Sequence, residues 1–332
     1  MKSAFLTETN YSGFLPPDHP NARTEIAWQL TLNSYHYNIF QFEQVKGYDA
    51  VFVILPKGLT RLNSVGLELQ LNLPDKDMAI YALPIIETLK KNNKKVCYIQ
   101  EGPNWFFNDY TLNNQFHFYN QLAQCDVIFA HNKSDRLFYQ GMFPSVKVSN
   151  IPTLMVDSLV RHVSPTKESK IMIGGNFCRW YGGFQSYIIA DVFQNCEKWT
   201  QNSHCQQPGE EQIPDLKHLP RLIWKDWMTT LATFKYAVHL MPTVAAGTFS
   251  LNCAYFGIPC IGNRDVDTQL TFFPDLSVDV NNIYDARNLA EIIYTNPTVC
   301  DSISKQAMNL CRASYHCDTK KWLNHIESVI EI

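Results

Sequence analysis

The sequence predicts an α/β fold of two Rossmann-like parallel-sheet domains facing a cleft, and three observations lead there. Length is the first, since 332 residues exceed what one hydrophobic core organises at roughly 100 to 200 residues per domain. The second is alternation: short β-branched runs follow stretches of helical spacing at the rate of βαβ units. The third is a restart. After the Pro-, Ser- and Thr-containing stretch from Ile151 to Ser169, the same alternation begins again at Lys170. Domains are therefore expected at 1–155 and 165–315, with a terminal helix at 316–332 returning towards the first.

In the first half, the apolar run Ala4 to Thr7 leads into a long loop, NYSGFLPPDHPN, and helical spacing resumes at Thr24. YDAVFVIL, Tyr48 to Leu55, has the continuous apolar character of a strand buried on both faces, and Pro56-Lys57-Gly58 ends it. Asp77 to Asn92 has helical spacing and a lysine-rich end that suits the helix dipole. Val96 to Gln100 is a strand, Tyr110 to Gln124 a helix, CDVIFA a strand, Lys133 to Gln140 a helix and VKVSNIP a strand. The second half opens with a strand from Lys170 to Gly174 and a helix from Phe184 to Phe193. Gln194 to Pro220 is polar and broken by Pro and Gly, the composition of irregular surface. After RLIW come a helix over Asp226 to Phe234, the strand YAVHLM, a helix over Thr248 to Phe256, the strand PCIGN and a helix over Asp285 to Tyr294. Helices near Val299 to Ala313 and Thr319 to Ile330 close the chain.

Composition excludes several classes. Hydrophobic residues at 45% against 18% charged rule out wholesale disorder. No apolar run reaches membrane-spanning length, and MKSAFLTETNYSGF lacks the apolar stretch and cleavage site of a leader, so a cytoplasmic chain without a membrane segment is expected. The net charge of −3 gives no overall basic field. The ten cysteines include no C-x-x-C pair, as expected of buried thiols in a reducing compartment. Cys196, His204, Cys205 and His218 share a polar segment but fit no zinc spacing, so no metal is expected. Lys90, Lys91, Lys94 and Lys95 form the densest basic cluster; a helix C-terminus accounts for it, and contact with a nucleic-acid backbone is the alternative.

In an open parallel sheet, ligands gather at the carboxyl ends of the strands. One stretch at such an end is AVHLMPTVAAGTFSLNCAYFGIPCIGN, where Gly247 precedes a helix beginning at Thr248. The free N–H groups of that first turn, with the Thr248 and Ser250 hydroxyls, suit an anion, although an ordinary N-cap has the same appearance. A second is KIMIGGNFCRWYGG, where Gly174 and Gly175 follow a strand and Arg179 follows in the loop. Glycines admit a ligand to the backbone and a guanidinium pairs with a diphosphate, although most Gly-Gly turns are only turns. Neither G-x-G-x-x-G nor a Walker A sequence is present. Glu101 ends a buried strand ahead of Gly102-Pro103 and is either a general base or a helix-capping loop carboxylate. Asp18 and His19, in the long first loop, are the rival base. Trp105 and Phe106, with Phe107, either stack on an acceptor or belong to the core.

These residues resemble the GT-B glycosyltransferases, whose second domain opens with a strand, a glycine turn and a basic residue. That family later carries a donor-diphosphate helix and a Gly-x-Pro strand entry, matched here by IGGNFCRWYGG and AAGTFSLNCAYFGIPCIG. A narrower likeness is to the phage DNA β-glucosyltransferases that modify hydroxymethylpyrimidines, through GGNF at Gly174, CYIQE ending at Glu101, and LIWKDWM at the nucleobase loop. Where that family has a ribose-binding glutamate this chain has Asn252, and its arginine one turn earlier falls at Phe249. The resemblance implies sugar transfer, with inversion, from a nucleotide-diphosphate donor, foremost a UDP-sugar, to an acceptor hydroxyl, foremost on a hydroxymethylated pyrimidine of double-stranded DNA. It implies donor contacts from Gly174, Gly175, Arg179, Trp224, Lys225, Gly247, Thr248, Phe249, Ser250 and Asn252, and acceptor contacts from Trp105 and Phe106. Glu101 becomes the base, no cofactor is required, and the chain acts as a monomer or weak dimer in a bacterial host's cytoplasm if phage-encoded. Three other classes share such a sequence. A surface-glycan or small-molecule glycosyltransferase needs no DNA, a sugar-nucleotide epimerase forms product without an acceptor, and a binding module turns nothing over.

Overall fold

The computed structural model describes residues 1–19, 24–55, 84–92, 94–100, 102–108, 111–164, 166–201 and 206–331. They form two compact units. The first draws on residues 1–19, Glu25–Pro152 and the chain from Asp318 onward; the second draws on Thr153–Cys317. Each holds a six-stranded, all-parallel sheet flanked by helices, so the fold class is α/β, as the alternation of runs predicts. No helix among the described residues is long and apolar enough to cross a membrane.

In the first unit the strands are β1 (Ser3–Thr7), β2 (Tyr35–Asn38), β3 (Ala50–Val53), β4 (Lys95–Ile99), β5 (Val127–Ala130) and β6 (Lys147–Asn150), in spatial order β2-β1-β3-β4-β5-β6. The central strands read AVFV and VIFA and are wholly buried, because helices cover both faces of a parallel sheet. The terminal helix Lys320–Ile330 packs within this unit. Its Trp322 ring lies edge-on to Trp28 at 6.4 Å. His325 Nε2 sits 3.1 Å from the Asn150 carbonyl and 3.2 Å from Ser149 Oγ.

The second unit holds β7 (Glu168–Ile173), β8 (Glu197–Gln201), β9 (Leu216–Leu219), β10 (Phe234–His239), β11 (Cys260–Asn263) and β12 (Ser277–Val278), ordered β12-β11-β10-β7-β8-β9. Counted from β7 this is the 3-2-1-4-5-6 order of a dinucleotide-binding sheet. The chain leaves β7 towards one edge and returns at β10 to build the other. β7 and β10 therefore flank the topological switch point, where ligands of such sheets bind.

The structure departs from the sequence expectation where strands are polar. The segment 194–220 contributes β8 and β9 rather than irregular surface, since these strands lie on one flank of the sheet and bury alternate side chains, Lys198 and Thr200 among them. β2 went unrecognised for the same reason: YHYN occupies an edge and buries only His36 and Asn38. The helix expected over Asp226 to Phe234 spans Trp224–Leu231, and Phe234 begins β10. The lysine cluster is engaged locally: Lys90 with Asp126 (2.7 Å), Lys91 with Glu87, and Lys94 with the Tyr48 carbonyl (2.8 Å).

Trp28 is fully buried and its indole N–H donates to the Pro152 carbonyl at 3.0 Å. Trp28→Ala should lower the unfolding free energy by about 3–5 kcal/mol, the usual loss for a large core aromatic, measured by urea denaturation.

Candidate functional site

The switch point of the second unit is built by close backbone approach. Gly174 N–H donates to the Val238 carbonyl at 2.7 Å, which brings the end of β7 against the end of β10. A Cβ at Gly174 would lie 2.7 Å from Cγ of His239, so only glycine leaves room for that imidazole. Gly175 has φ +77°, and a Cβ there would meet the Tyr181 carbonyl at 2.5 Å. The loop after the glycine pair is then closed by the Gly183 N–H donating to the Asn176 carbonyl at 2.9 Å. Ser186 ties it to β10: its hydroxyl donates to the Gly182 carbonyl and accepts the Leu240 N–H, both at 2.9 Å. Within this pinned loop, the Arg179 guanidinium lies 3.8 Å from the Trp180 ring centre. Stacking covers one face of the guanidinium and leaves its N–H edge available to an anion.

The second wall is the Thr248–Tyr255 helix. Gly247 starts it with φ +70°, the left-handed region that favours glycine. The Thr268 hydroxyl donates to the Gly247 carbonyl at 2.8 Å, and the Ser250 hydroxyl lies 2.8 Å from Thr268 Oγ1. Ser250 is thus turned inward to hold the turn, while Thr248 is partly exposed at the first helical position. Phe249 packs its ring on His239 at 4.7 Å and on Trp227 at 6.4 Å. Asn252 is buried. With its carboxamide oriented to satisfy both ends, it accepts the Trp227 indole N–H at 3.3 Å and donates to the Thr248 carbonyl at 3.2 Å. Trp224 and Lys225 open the Trp224–Leu231 helix after β9, the first partly buried against the core and the second exposed. Their neighbour Trp227, one turn on, is the residue that reaches Phe249 and Asn252.

Through His239 the structure brings Gly174 next to Phe249, on the helix that Gly247 and Thr248 open; the sequence alone does not single out His239, Trp227 or Thr268. A polar residue interrupting the apolar run YAVHLM was the available signal for His239. Burial lowers the His239 pKa to about 4, so the ring is neutral at physiological pH.

At the carboxyl ends of the first sheet, Asp18 and His19 lie in the loop after β1. His19 N–H donates to the Pro16 carbonyl at 3.0 Å, and its ring meets Tyr11 edge-on at 5.6 Å. Burial lowers the His19 pKa, against the pull of Asp18. His36 braces this loop. Its Nδ1–H donates to the Tyr11 carbonyl and its Nε2 accepts the Thr7 hydroxyl, both at 2.8 Å. Glu101 lies outside the described residues. Three residues after it, Asn104 is held by buried Asp135, whose carboxylate accepts from Asn104 Nδ2 at 2.8 Å and from Asn132 Nδ2 at 2.6 Å. Trp105 is partly buried in the one-turn helix Asn104–Phe107; Phe106 belongs to the same turn, with its side chain outside the described residues. His218, part of the zinc spacing considered above, pairs with Glu210 at 3.0 Å, while His204 and Cys205 lie outside the described residues. Among the described residues no cluster of ligating side chains could hold a metal.

These two α/β units, with a glycine-lined switch point in the second, have the fold of the GT-B class. Neither a family profile nor a curated sequence matches the chain. Solved structures do. Anabaena Alr3699/HepE in complex with UDP is similar at a TM-score of 0.64 and 10% identity, over 99% of this chain and 100% of that one. An α-glucosyltransferase in complex with UDP-glucose and DNA containing an abasic site is similar at 0.65 and 10%, over 99% of each chain. Sucrose-phosphate synthase from Thermosynechococcus elongatus is similar at 0.65 and 10%, over 100% and 97%.

Burial lowers the His36 pKa to about 4. Between that value and the ordinary 6.5, the unfolded chain binds a proton that the native state excludes. Stability present above pH 6.5 should therefore fall as pH drops towards 4, by about 1.4 kcal/mol per unit from this group. Urea titrations at successive pH values measure the slope, and His36→Gln should reduce it.

Proposed function

We propose that the chain is a glycosyltransferase that moves a sugar from a nucleotide diphosphate, foremost UDP, to an acceptor hydroxyl. The observation that carries this reading is the switch point of the second unit. There a glycine pair, a helix N-terminus and a neutral imidazole meet at the place where such sheets bind nucleotides. The fold shared with proteins solved with UDP or UDP-glucose supports it. Gly174 and Gly175 admit the diphosphate to the backbone, the Thr248 and Phe249 amides face its charge, and the Arg179 edge pairs with a phosphate oxygen. Trp224 and Lys225 border the nucleobase. Ser250 and Asn252 shape the helix rather than touch the donor.

For the acceptor, the reading takes a hydroxymethylated pyrimidine in DNA. Its support is the similarity to α-glucosyltransferase solved with UDP and DNA containing an HMU base, together with the GGNF and CYIQE stretches. Trp105 and Phe106 would stack on the acceptor ring. In the inverting form, Glu101 takes the acceptor hydroxyl proton as the oxygen attacks C1, and the C1–O bond to the diphosphate breaks with its electron pair. Asp18 and His19 are the alternative base. The name of the similar α-glucosyltransferase favours a second form, retention, in which no such base is needed. Product anomer, read by NMR, separates the two.

Arg179→Ala should weaken donor binding by about 1.5–3 kcal/mol, the range of a charge-assisted hydrogen bond, with the fold intact. Calorimetry against a panel of nucleotide sugars measures it, and unchanged affinity for the best donor would remove Arg179 from the site. Under inversion, Glu101→Gln should keep donor and acceptor binding while turnover falls by a factor on the order of 10²–10⁴. Single-turnover kinetics at saturating donor read this directly. Turnover within about fivefold of the parent, roughly 1 kcal/mol of barrier, would exclude Glu101. Mass spectrometry of nucleosides from hydroxymethylcytosine and hydroxymethyluracil DNA tests the acceptor. Transfer to sugars alone would move the reading to a glycan or small-molecule acceptor, and product formed without any acceptor would move it to epimerisation.

A further inference from the structure

His239 ends β10, a strand flanked on both sides within its sheet, and its ring is fixed between Gly174, where no Cβ fits, and Phe249. Among the described residues neither imidazole nitrogen has a hydrogen-bond partner, although a neutral ring carries one donor and one acceptor. The side chain nonetheless stays partly exposed at the carboxyl edge of the sheet, so a ligand has access to it. Its one donor and one acceptor can therefore both meet a ligand there. The Thr248–Tyr255 helix, whose Phe249 ring packs on the imidazole, presents the backbone N–H groups of its first turn at the same carboxyl edge, which favours an anion over a cation.

The geometry points to His239 as a proton-linked ligand of the donor's diphosphate: the anion meets the imidazole N–H, and the ring takes up a proton as the donor binds. This rests on the donor reading above and adds to it the protonation state in which the donor is held. Burial is the sole cause of the depressed pKa of the free ring. The charged groups on the surrounding elements are Arg179 on the loop after β7, Lys225 and Asp226 on the Trp224–Leu231 helix, and Arg264, Asp265 and Asp267 after β11. None of them contributes to that shift, so a diphosphate arriving beside the ring becomes the dominant charge and raises its proton affinity. During transfer the acceptor oxygen bonds to C1, the C1–O bond breaks, and its electron pair stays on the diphosphate. The imidazolium, keeping its proton, then faces the larger negative charge.

UDP-glucose is the probe, because its diphosphate has no terminal phosphate oxygen titrating near pH 6. Calorimetry at pH 6.5 in buffers of different ionisation heat gives the protons taken up on binding. The parent should take up a substantial fraction of one proton, and its affinity should rise as pH falls from 8 to 6. His239→Gln, which keeps an amide donor but cannot titrate, should show no uptake and a flat pH profile, with affinity reduced about tenfold at pH 6.5. Because that variant has to fold around Gly174, the parent supplies an independent readout: the His239 Cε1–H resonance should move to its protonated position at pH 7 on adding UDP-glucose. Binding without uptake, or equal uptake by parent and variant, overturns the inference and leaves the donor reading standing. Failure of UDP-glucose and every other nucleotide sugar to bind overturns the donor reading, and the inference with it.

Discussion

The contact between Gly174 and the ring of His239 is the constraint on which the second unit's carboxyl edge depends. β7 and β10 are paired neighbours, so their backbones lie about 4.8 Å apart, while the chain leaves the two strands in opposite directions. A side chain at both ends would fill that gap. With hydrogen at Gly174, the imidazole takes the space and the backbone of the turn stays open above it. The same economy recurs at Gly182, where a Cβ would stand 2.0 Å from the Leu240 carbonyl. The loop carrying Arg179 is thereby pressed against the continuation of β10, with Ser186 bonded to both.

Phe249 and Asn252 stand where the resembling family has an arginine and a glutamate, and here they serve packing. Phe249 bridges His239 to Trp227, and Asn252 bonds the Trp227 indole to the first turn of its own helix. Under the proposed donor reading, polar recognition then falls to backbone N–H groups, Arg179 and His239. In the first unit, buried Asp135 and His36 act comparably, the first bonding Asn104 and the second the Tyr11 carbonyl and the Thr7 hydroxyl.

The central strands were legible because burial on both faces writes continuous apolar runs, as in AVFV and VIFA. Glycines at 174, 175 and 247 were legible because close approach and positive φ select that residue type. The polar strands were not. YHYN at a sheet edge and EKWTQ next to one bury alternate positions with His, Asn, Lys and Thr, which resemble loop composition until a neighbouring strand is in place. His239 escaped because a single histidine inside an apolar run carries no periodicity, and its place in the site arises from Gly174, 65 positions away in the chain. Ser250 looked like an anion ligand because sequence gives no direction to a hydroxyl; Thr268, on a separate helix, turns it inward.

The most direct test of the account is amide NMR of the ¹⁵N-labelled protein titrated with UDP-glucose. If the donor occupies the switch point of the second unit, the resonances of Gly174, Gly175, Thr248 and Phe249 should move first and most, saturating with a common dissociation constant. Shifts that leave these four unmoved while perturbing another set of residues, such as Asn132 to Asp135, would contradict it.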